Sequence, residues 1–382
     1  MKVTNICRVI VFCVFICSCG RAQNDEIQMI HFDLHKLSMK SFSDFYQIKE
    51  VIPLETTDSS LIAGIDNIIF FEDKIVIGEY WTKAFSIFKR DGSFLGKVDK
   101  TGNGPEEYGS RIGSVVIDQA DPDNTLIMNK SPQLFFYNYH TWKKVKATKW
   151  IGATAMLGSL PNGDFLAYQE FGNENEYFIK LVNQTGEIIK GFLPIPSQLS
   201  FTTPALYPYP FTFHQNNQVY VLPYNSHSIY EYNCKDTLLL EKYRFEIENN
   251  PSINIKRLKQ QDIDNGTYYN DYYRLWLHNI DSSYMIISAS VGGYNVNNPS
   301  ITCIVNLKTL HAEVFNSGDL RDTHEEIPIS HFIWTNLSFP VAIISPEKME
   351  NYATIRSDSW GTMLKRKISR DSNPILVIYE ER

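Results

Sequence analysis

An all-β fold, a single six-bladed β-propeller with two helical insertions and a ring closed by N- and C-terminal strands sharing the last blade, is predicted by three features of the sequence. Short hydrophobic runs of period-2 character, broken by a tight polar turn, recur six times. Five of these hairpins are followed by a second, more exposed one, which makes units of four strands. The sixth has only three strands of its own. A strand lent by the other chain end would complete it and remove the free edges that otherwise invite aggregation.

The chain opens with an export signal. Lys2 and Arg8 supply positive charge, Val9 to Ser18 an apolar core, and polar Gly20 to Glu26 follow. About ten apolar residues rise only ~15 Å as a helix, half of a ~30 Å hydrocarbon core, so the segment predicts removal or anchoring rather than a permanent span. Ile16-Cys17-Ser18-Cys19 resembles a bacterial lipobox, in which an aliphatic residue at −3 and a small residue at −1 precede a cysteine that is diacylated. The resemblance implies lipidation at Cys19 and a lipid-anchored place in the cell envelope, periplasmic or outer-membrane. Ordinary cleavage near Ala22 is the alternative. Residues 1–19 are thus read as a lipoprotein signal peptide, 20–28 as a tether and 29–382 as one propeller domain.

The first hairpins fall at Asn67–Glu79, Ser114–Lys130, Met156–Glu170, Phe211–Asn225, Leu275–Ser288 and His331–Ser345. The second, around polar turns, fall at Phe85–Val98, Leu134–Ala147, Tyr177–Phe192, Ile229–Phe245 and Ile301–Phe315. The last strand lies at Pro374–Tyr379, and Met29–Leu34, which alternates in the same way, is expected to pair with it as the outer strand of the sixth blade. Two insertions read as helical: Ser252–Trp276, capped by Ser252, and Ser345 towards Lys367, where Ser-Pro-Glu supplies a cap, a first-turn proline and an acid.

Of the six cysteines, four lie in the leader, and Cys234 and Cys303 remain in the body. Two are too few for a disulfide scaffold, and a body of this size buries enough surface without one, so they read as independent core cysteines. A net charge of −7 without a long basic run argues against nucleic acid or anionic lipid as the ligand.

Val98–Asp118 reads VDKTGNGPEEYGSRIGSVVID, a glycine-rich turn, Gly-Pro, an acid, an aromatic and then a strand. This stretch resembles the linker of NHL-type propeller repeats. Together with Val51-Ile52-Pro53-Leu54-Glu55-Thr56-Thr57 and Asn373-Pro374-Ile375-Leu376-Val377-Ile378-Tyr379, it makes the chain similar to the six-bladed β-propeller (NHL-like) family of bacterial envelope lipoproteins, over essentially the whole mature length. The resemblance implies a fold and an envelope location and no particular activity. Members often carry an Asn-Asp-Asp-Gly-Gly-like motif entering the last blade. Here Asp319-Leu320-Arg321-Asp322-Thr323-His324-Glu325-Glu326 keeps only its acidity and reads equally as a solvated loop. Independently of family, Gly102, Gly104 and Pro105 suit a chain that leaves an outer strand and bends sharply to the next inner one. Glu107 and Tyr108 either point into the channel or serve packing, Tyr108 between blades and Glu107 as a backbone acceptor.

Catalytic signatures are absent: the sequence holds no Gly-x-Ser-x-Gly, no His-Glu-x-x-His and no Walker motif, and the mature part no Cys-x-x-Cys. His214, His278 and His331 fall on three inner strands, but His331 sits two to three residues higher than the others. That is roughly 7–10 Å along a strand, too far for nitrogens that must lie within ~2.1 Å of zinc. Asp66, Asp118 and Asp319 are the nearest candidates for a calcium site, Asp118 reading more simply as a turn residue.

Aromatic residues make up 13% of the chain, and many fall in segments that a propeller gathers on one face, among them Tyr80, Trp81, Tyr108, Phe211 and Tyr224. Flat rings beside hydroxyls suit sugars or peptide side chains, while each ring singly also suits packing of the loops. The candidate ligand-binding residues are Tyr80, Trp81, Tyr108, Arg111, Tyr224 and Asp319. The function expected is a non-catalytic envelope protein that engages a glycan, peptide or protein partner, with no cofactor and with the membrane reached through the lipid anchor only. The alternative is a hydrolase or lyase with its site in the central channel and one divalent cation.

Overall fold

The structure, a computed structural model, describes residues 26–79, 84–109, 112, 114–130, 133–149, 156–169, 176–195, 211–213, 218–223, 226–248, 273–291, 301–316, 321–322, 327–329, 331–333, 335–348, 369 and 371–382. Two strands precede the blades, β1 (Gln28–Phe32) and β2 (Tyr46–Pro53). Blade 1 follows as β3 (Asn67–Phe70), β4 (Lys74–Glu79), β5 (Ala84–Lys89) and β6 (Phe94–Asp99). Blade 2 is β7 (Ser114–Ile117), β8 (Thr125–Lys130), β9 (Gln133–Asn138) and β10 (Lys143–Lys149). Blade 3 is β11 (Met156–Ser159), β12 (Phe165–Tyr168), β13 (Tyr177–Val182) and β14 (Ile188–Pro194). Blade 4 is β15 (Phe211–Phe213), β16 (Val219–Val221), β17 (Ser228–Asn233) and β18 (Leu238–Ile247). Blade 5 is β19 (Tyr273–Ile280), β20 (Tyr284–Val291), β21 (Ile301–Asn306) and β22 (Ala312–Asn316). After a short hairpin of β23 (Arg321–Asp322) and β24 (Ile327–Pro328), blade 6 uses β25 (His331–Ile333), β26 (Val341–Ile344) and β27 (Ile375–Glu381).

Within each blade the strands just given pair antiparallel in chain order, and the fold is the six-bladed propeller that the hairpin pattern predicts. First strands lie innermost, where Ile68 of blade 1 bridges in parallel to Thr335 of blade 6. Their composition follows from that place. β3 and β7 are buried at every position, whereas outer β6 alternates half-buried and exposed, as a strand with one solvated face does. The core lies between blades: Ile68, Phe70 and Ile77 pack on Val341, Ile343 and Leu376 of blade 6, and Val116 and Phe136 on Leu157 and Phe165 of blade 3. The turns joining first to second and third to fourth strands form one face, the turn face. The opposite loop face holds the connections between second and third strands and between blades.

The ring is closed by both chain ends, but the strand that closes it is not Met29–Leu34. β2 pairs antiparallel with β27, Tyr46 opposite Glu381 and Pro53 opposite Ile375, and is the outer strand of blade 6. β1 instead lies parallel to β18, Gln28 opposite Tyr243 and Phe32 opposite Ile247, as a fifth strand on blade 4. The cause is side-chain demand on two faces. β2 buries Val51 towards blade 5 and Ile52 towards blade 1, which a strand inside the ring needs. β1 buries only Ile30 and Phe32, against Phe245 and Ile247, and leaves His31 exposed.

Between them residues 33–45 form a strap across blade 5. The Ser38 N–H donates to Val314 O at 2.7 Å, the Ser38 hydroxyl to Glu313 Oε2 at 2.6 Å, and Lys40 Nζ lies 2.7 Å from Glu313 Oε1. Phe42, in a 3-10 turn (Phe42–Asp44), then stacks on Tyr46 at 5.0 Å and meets Tyr379 edge-on at 4.8 Å. The strap thereby joins blades 4, 5 and 6.

Neighbouring blades are also stitched by hydrogen bonds from side chain to backbone and from side chain to side chain. Lys190 of β14 donates to Thr237 O in blade 4 at 2.9 Å, Arg90 of blade 1 to Glu50 of β2 at 2.7 Å, and Asn336 of blade 6 exchanges two bonds with the backbone of Phe70. Cys303 is buried and Cys234 half-buried, and no disulfide joins them. Of the helical insertions, residues 346–348 are helical as Ser345-Pro346 predicts. The rest of that insertion and nearly all of Ser252–Trp276 lie outside the described residues, though Tyr273–Trp276 already belong to β19.

Candidate functional site

The loop face is where the sequence places its candidates. Tyr80, Trp81, Arg111, Tyr224 and Asp319, like Cys19, lie outside the described residues. Tyr108 is described, and as a rim residue it needs correction. Its side chain is fully buried, edge-on to Phe85 of blade 1 at 6.1 Å and to Tyr137 of blade 2 at 6.3 Å. The Lys100 N–H donates to its hydroxyl at 3.0 Å, and burial pushes the phenol up to about 12. Of the two roles open to it, packing between blades is the one observed. Phe211 is likewise core, fully buried between blades 3 and 4. A ring in such a place has no face left for a ligand.

The linker around Tyr108 folds as its glycines demand. Gly102 and Gly109 have φ of +145° and +80°, in the region that favours glycine. Glu107 Oε2 accepts the Gly104 N–H at 2.6 Å, the packing alternative for Glu107, and a Cβ on Gly102 would stand 2.0 Å from the same oxygen.

Two clusters that no motif announced lie at the loop-face ends of second strands. In blade 1 the side chain of Glu79 is 1% exposed and pairs with Lys97 at 2.9 Å. It also accepts the Ser86 hydroxyl at 2.6 Å and the Ala63 N–H at 3.3 Å. In blade 3 Gln169, Glu176 and Lys180 form the matching group, with Lys180 Nζ 2.7 Å from Gln169 Oε1 and 3.4 Å from Glu176; Gln169 also donates to Glu176. The registers correspond: Ser86 opposes Ile77, two before Glu79, and Lys180 opposes Ala167, two before Gln169. An ion pair with one partner buried, as Glu79 and Lys180 are here, is costly to desolvate and fixes geometry more than it stabilises. Here it fixes the strand ends from which the segments 80–83 and 170–175 depart. The sequence does carry a signal for these residues: a charge that ends or interrupts an apolar run, as Glu79 does in KIVIGE and Lys180 in YFIKLV.

Of the metal candidates, the side chains of His278, Asp118 and Asp66 are described. His278 Nε2 lies 2.8 Å from Ser288 Oγ, with its ring 6.0 Å from that of Phe332. Asp118 turns the first hairpin of blade 2, accepting the Ala120 N–H at 3.0 Å, and burial holds its carboxyl above the ordinary value. Asp66 is exposed. His214 and the side chain of His331 fall outside the described residues. Among the described residues no group of three or more His, Cys, Asp or Glu converges.

No curated protein matches the chain. Among solved structures, a Bacteroides fragilis protein assigned as exported is 14% identical with a TM-score of 0.75, covering 93% of this chain and 100% of its own. At that identity the likeness shows the fold alone. Virginiamycin B lyase of Staphylococcus aureus, 10% identical over 87% of this chain and 99% of its own, has a TM-score of only 0.44 and carries no argument. The domain of unknown function DUF4934 matches residues 28–380, from β1 through β27, and the chain belongs to that family.

Proposed function

We propose that the protein is a non-catalytic binding module of the bacterial cell envelope, held by a lipid on Cys19, that engages a glycan, peptide or protein partner through its loop face. The observation that carries this reading is the pair of charged clusters built on the buried side chains of Glu79 and Lys180. They hold the strand ends on either side of segments rich in aromatic and polar residues, beginning Tyr80-Trp81 and Glu170-Phe171. Rigid bases under aromatic segments are what a recognition surface needs to avoid losing affinity to ordering. The export signal and the exported fold neighbour support the envelope location.

The test is binding of the mature protein to a glycan and peptide panel, repeated with Trp81→Ala and Glu79→Gln. Loss of a ligand in Trp81→Ala, with weakening in Glu79→Gln at an unchanged fold, is expected. A ligand bound equally by wild type and both variants would remove the loop face from consideration. Activity on the panel that a chelator abolishes would favour a channel enzyme instead.

A further inference from the structure

Six of the ten large apolar side chains that stand exposed among the described residues lie on the outer edges of three consecutive blades. Ile188 and Ile189 belong to β14 of blade 3, Leu238 and Leu240 to β18 of blade 4, and Leu37 and Met39 to the strap over blade 5. The four on blades 3 and 4 are 42–53% exposed. They flank one stitch, the bond from Lys190 Nζ to Thr237 O at 2.9 Å, so the two edges adjoin. Edge strands in soluble rings are ordinarily blunted by charge, as β10 is with Lys143, Lys144, Lys146 and Lys149. β14 and the lower half of β18 depart from that habit.

The same edge receives the N-terminal segment. β1 starts at Gln28 opposite Tyr243, three residues above Leu240 and so about 10 Å along β18. Because β1 runs parallel to β18, from the turn face towards the loop face, the chain reaches Gln28 from the side of Leu240 and Leu238. Nine residue steps separate Gln28 from Cys19, at most about 30 Å of extended chain. An acyl chain on Cys19 therefore brings this edge, among all the outer edges, to the membrane.

The geometry points to the outer edge of blades 3 to 5 as a membrane-contact surface, whose exposed Ile, Leu and Met side chains enter the interfacial region of the bilayer beside the anchor. This rests on the lipid-anchor part of the proposed function and goes beyond it, since the sequence alone pointed to contact through the lipid only. Apolar side chains on a polar background are what an interfacial surface uses, and four of these six flank one seam between blades 3 and 4. The loop face then lies to the side of the bilayer or away from it, open to a partner.

The experiment uses the full chain, processed in a bacterial host and reconstituted into phosphatidylethanolamine–phosphatidylcholine vesicles. In a Cys234→Ser background, Ile189→Cys, Leu240→Cys and, on the exposed outer strand of blade 1, Leu95→Cys each carry an environment-sensitive fluorophore. Blue-shifted emission, quenched by lipid-borne spin label, is expected at 189 and 240 and not at 95. An acylated, vesicle-bound protein whose three labels stay equally water-exposed overturns the membrane surface alone. A chain without acyl mass overturns the anchor and the surface with it. Labels at 189 and 240 already shielded in the vesicle-free Cys19→Ser protein mean that copies of the chain cover this edge, and also overturn it.

Discussion

Tyr46, the first residue of the closing strand, donates its hydroxyl to Asp281 in the first turn of blade 5 at 2.7 Å. Burial is the main reason the Asp281 carboxyl stands above its ordinary value, against the bonds it accepts from Tyr46 and from the Tyr284 and Ser283 N–H groups. A carboxyl raised in the folded state binds its proton more tightly than in the unfolded chain, so its ionisation costs stability as pH rises through the folded value. Tyr46→Phe removes one of the few donors that offset this cost. It should destabilise the protein by about 1.5–3 kcal/mol at neutral pH, the worth of a hydrogen bond to a charged group. The deficit should shrink as pH falls towards the ordinary carboxyl value of 3.8. Denaturant titrations at both ends of that range measure it.

The strap should respond to acid in the opposite sense. Burial raises the Glu313 carboxyl, but Lys40, Ser38 and His311 outweigh it and leave it below the ordinary 4.5. A depressed carboxyl contributes stability that is present above the ordinary value and lost as pH falls through the folded one. Relative to its intrinsic rate at each pH, amide exchange over residues 33–41 should therefore accelerate below about pH 4.5, with the blades still protected. Lys40→Met should bring part of that acceleration to neutral pH. Uniform exchange across blade and strap would contradict it.

Chain-end deletions separate the two N-terminal strands. Loss of residues 374–382 removes β27, the third strand of blade 6, and should leave an unfolded or aggregating chain. Loss of 20–27 should not shift the melting temperature. Loss of 28–45 spares all six blades but uncovers Phe245 and Ile247, each worth about 1.5–3 kcal/mol when fully buried. It should yield a folded protein with a clearly lower melting temperature. Had Met29–Leu34 been the closing strand, this third deletion would be as damaging as the first.

Gly92 and Gly96 offer a matched pair. A Cβ on Gly92, at φ +87°, would stand 2.2 Å from Pro53 O in the closing strand, whereas one on Gly96 meets nothing within 4 Å. Gly92→Ala should destabilise by at least the ~1–2 kcal/mol of a left-handed alanine. Gly96→Ala should be neutral or slightly stabilising by thermal melts.

The blades were legible because a hairpin is a local object. Period-2 burial and turn residues such as Asp91-Gly92 and Asn162-Gly163 mark both strands within about a dozen residues. Ring closure was legible only in kind. Alternation in Met29–Leu34 says that one face is buried and not against what, so it fitted blade 6 as well as blade 4. Tyr108 shows the same limit at the site: an aromatic after Gly-Pro-Glu-Glu suits a rim and an interblade gap alike, and only the arrival of Tyr137 decides. Glu79 and Lys180 were missed since each finds its partners across a sheet or a connecting segment, and no fixed spacing advertises them.

The closing strand has a consequence for the order of events during synthesis. Gln47 and its partner Glu380 are 333 residues apart, and β1 waits for β18 in the same way. The first strands to leave the ribosome are thus among the last to find partners, and contacts of such long range form slowly. Until β27 exists, β2 has no partner in blade 6 and the ring cannot shut, so a prematurely terminated chain keeps open edges that proteases and chaperones can recognise. Closure reports that the chain has been made through β27.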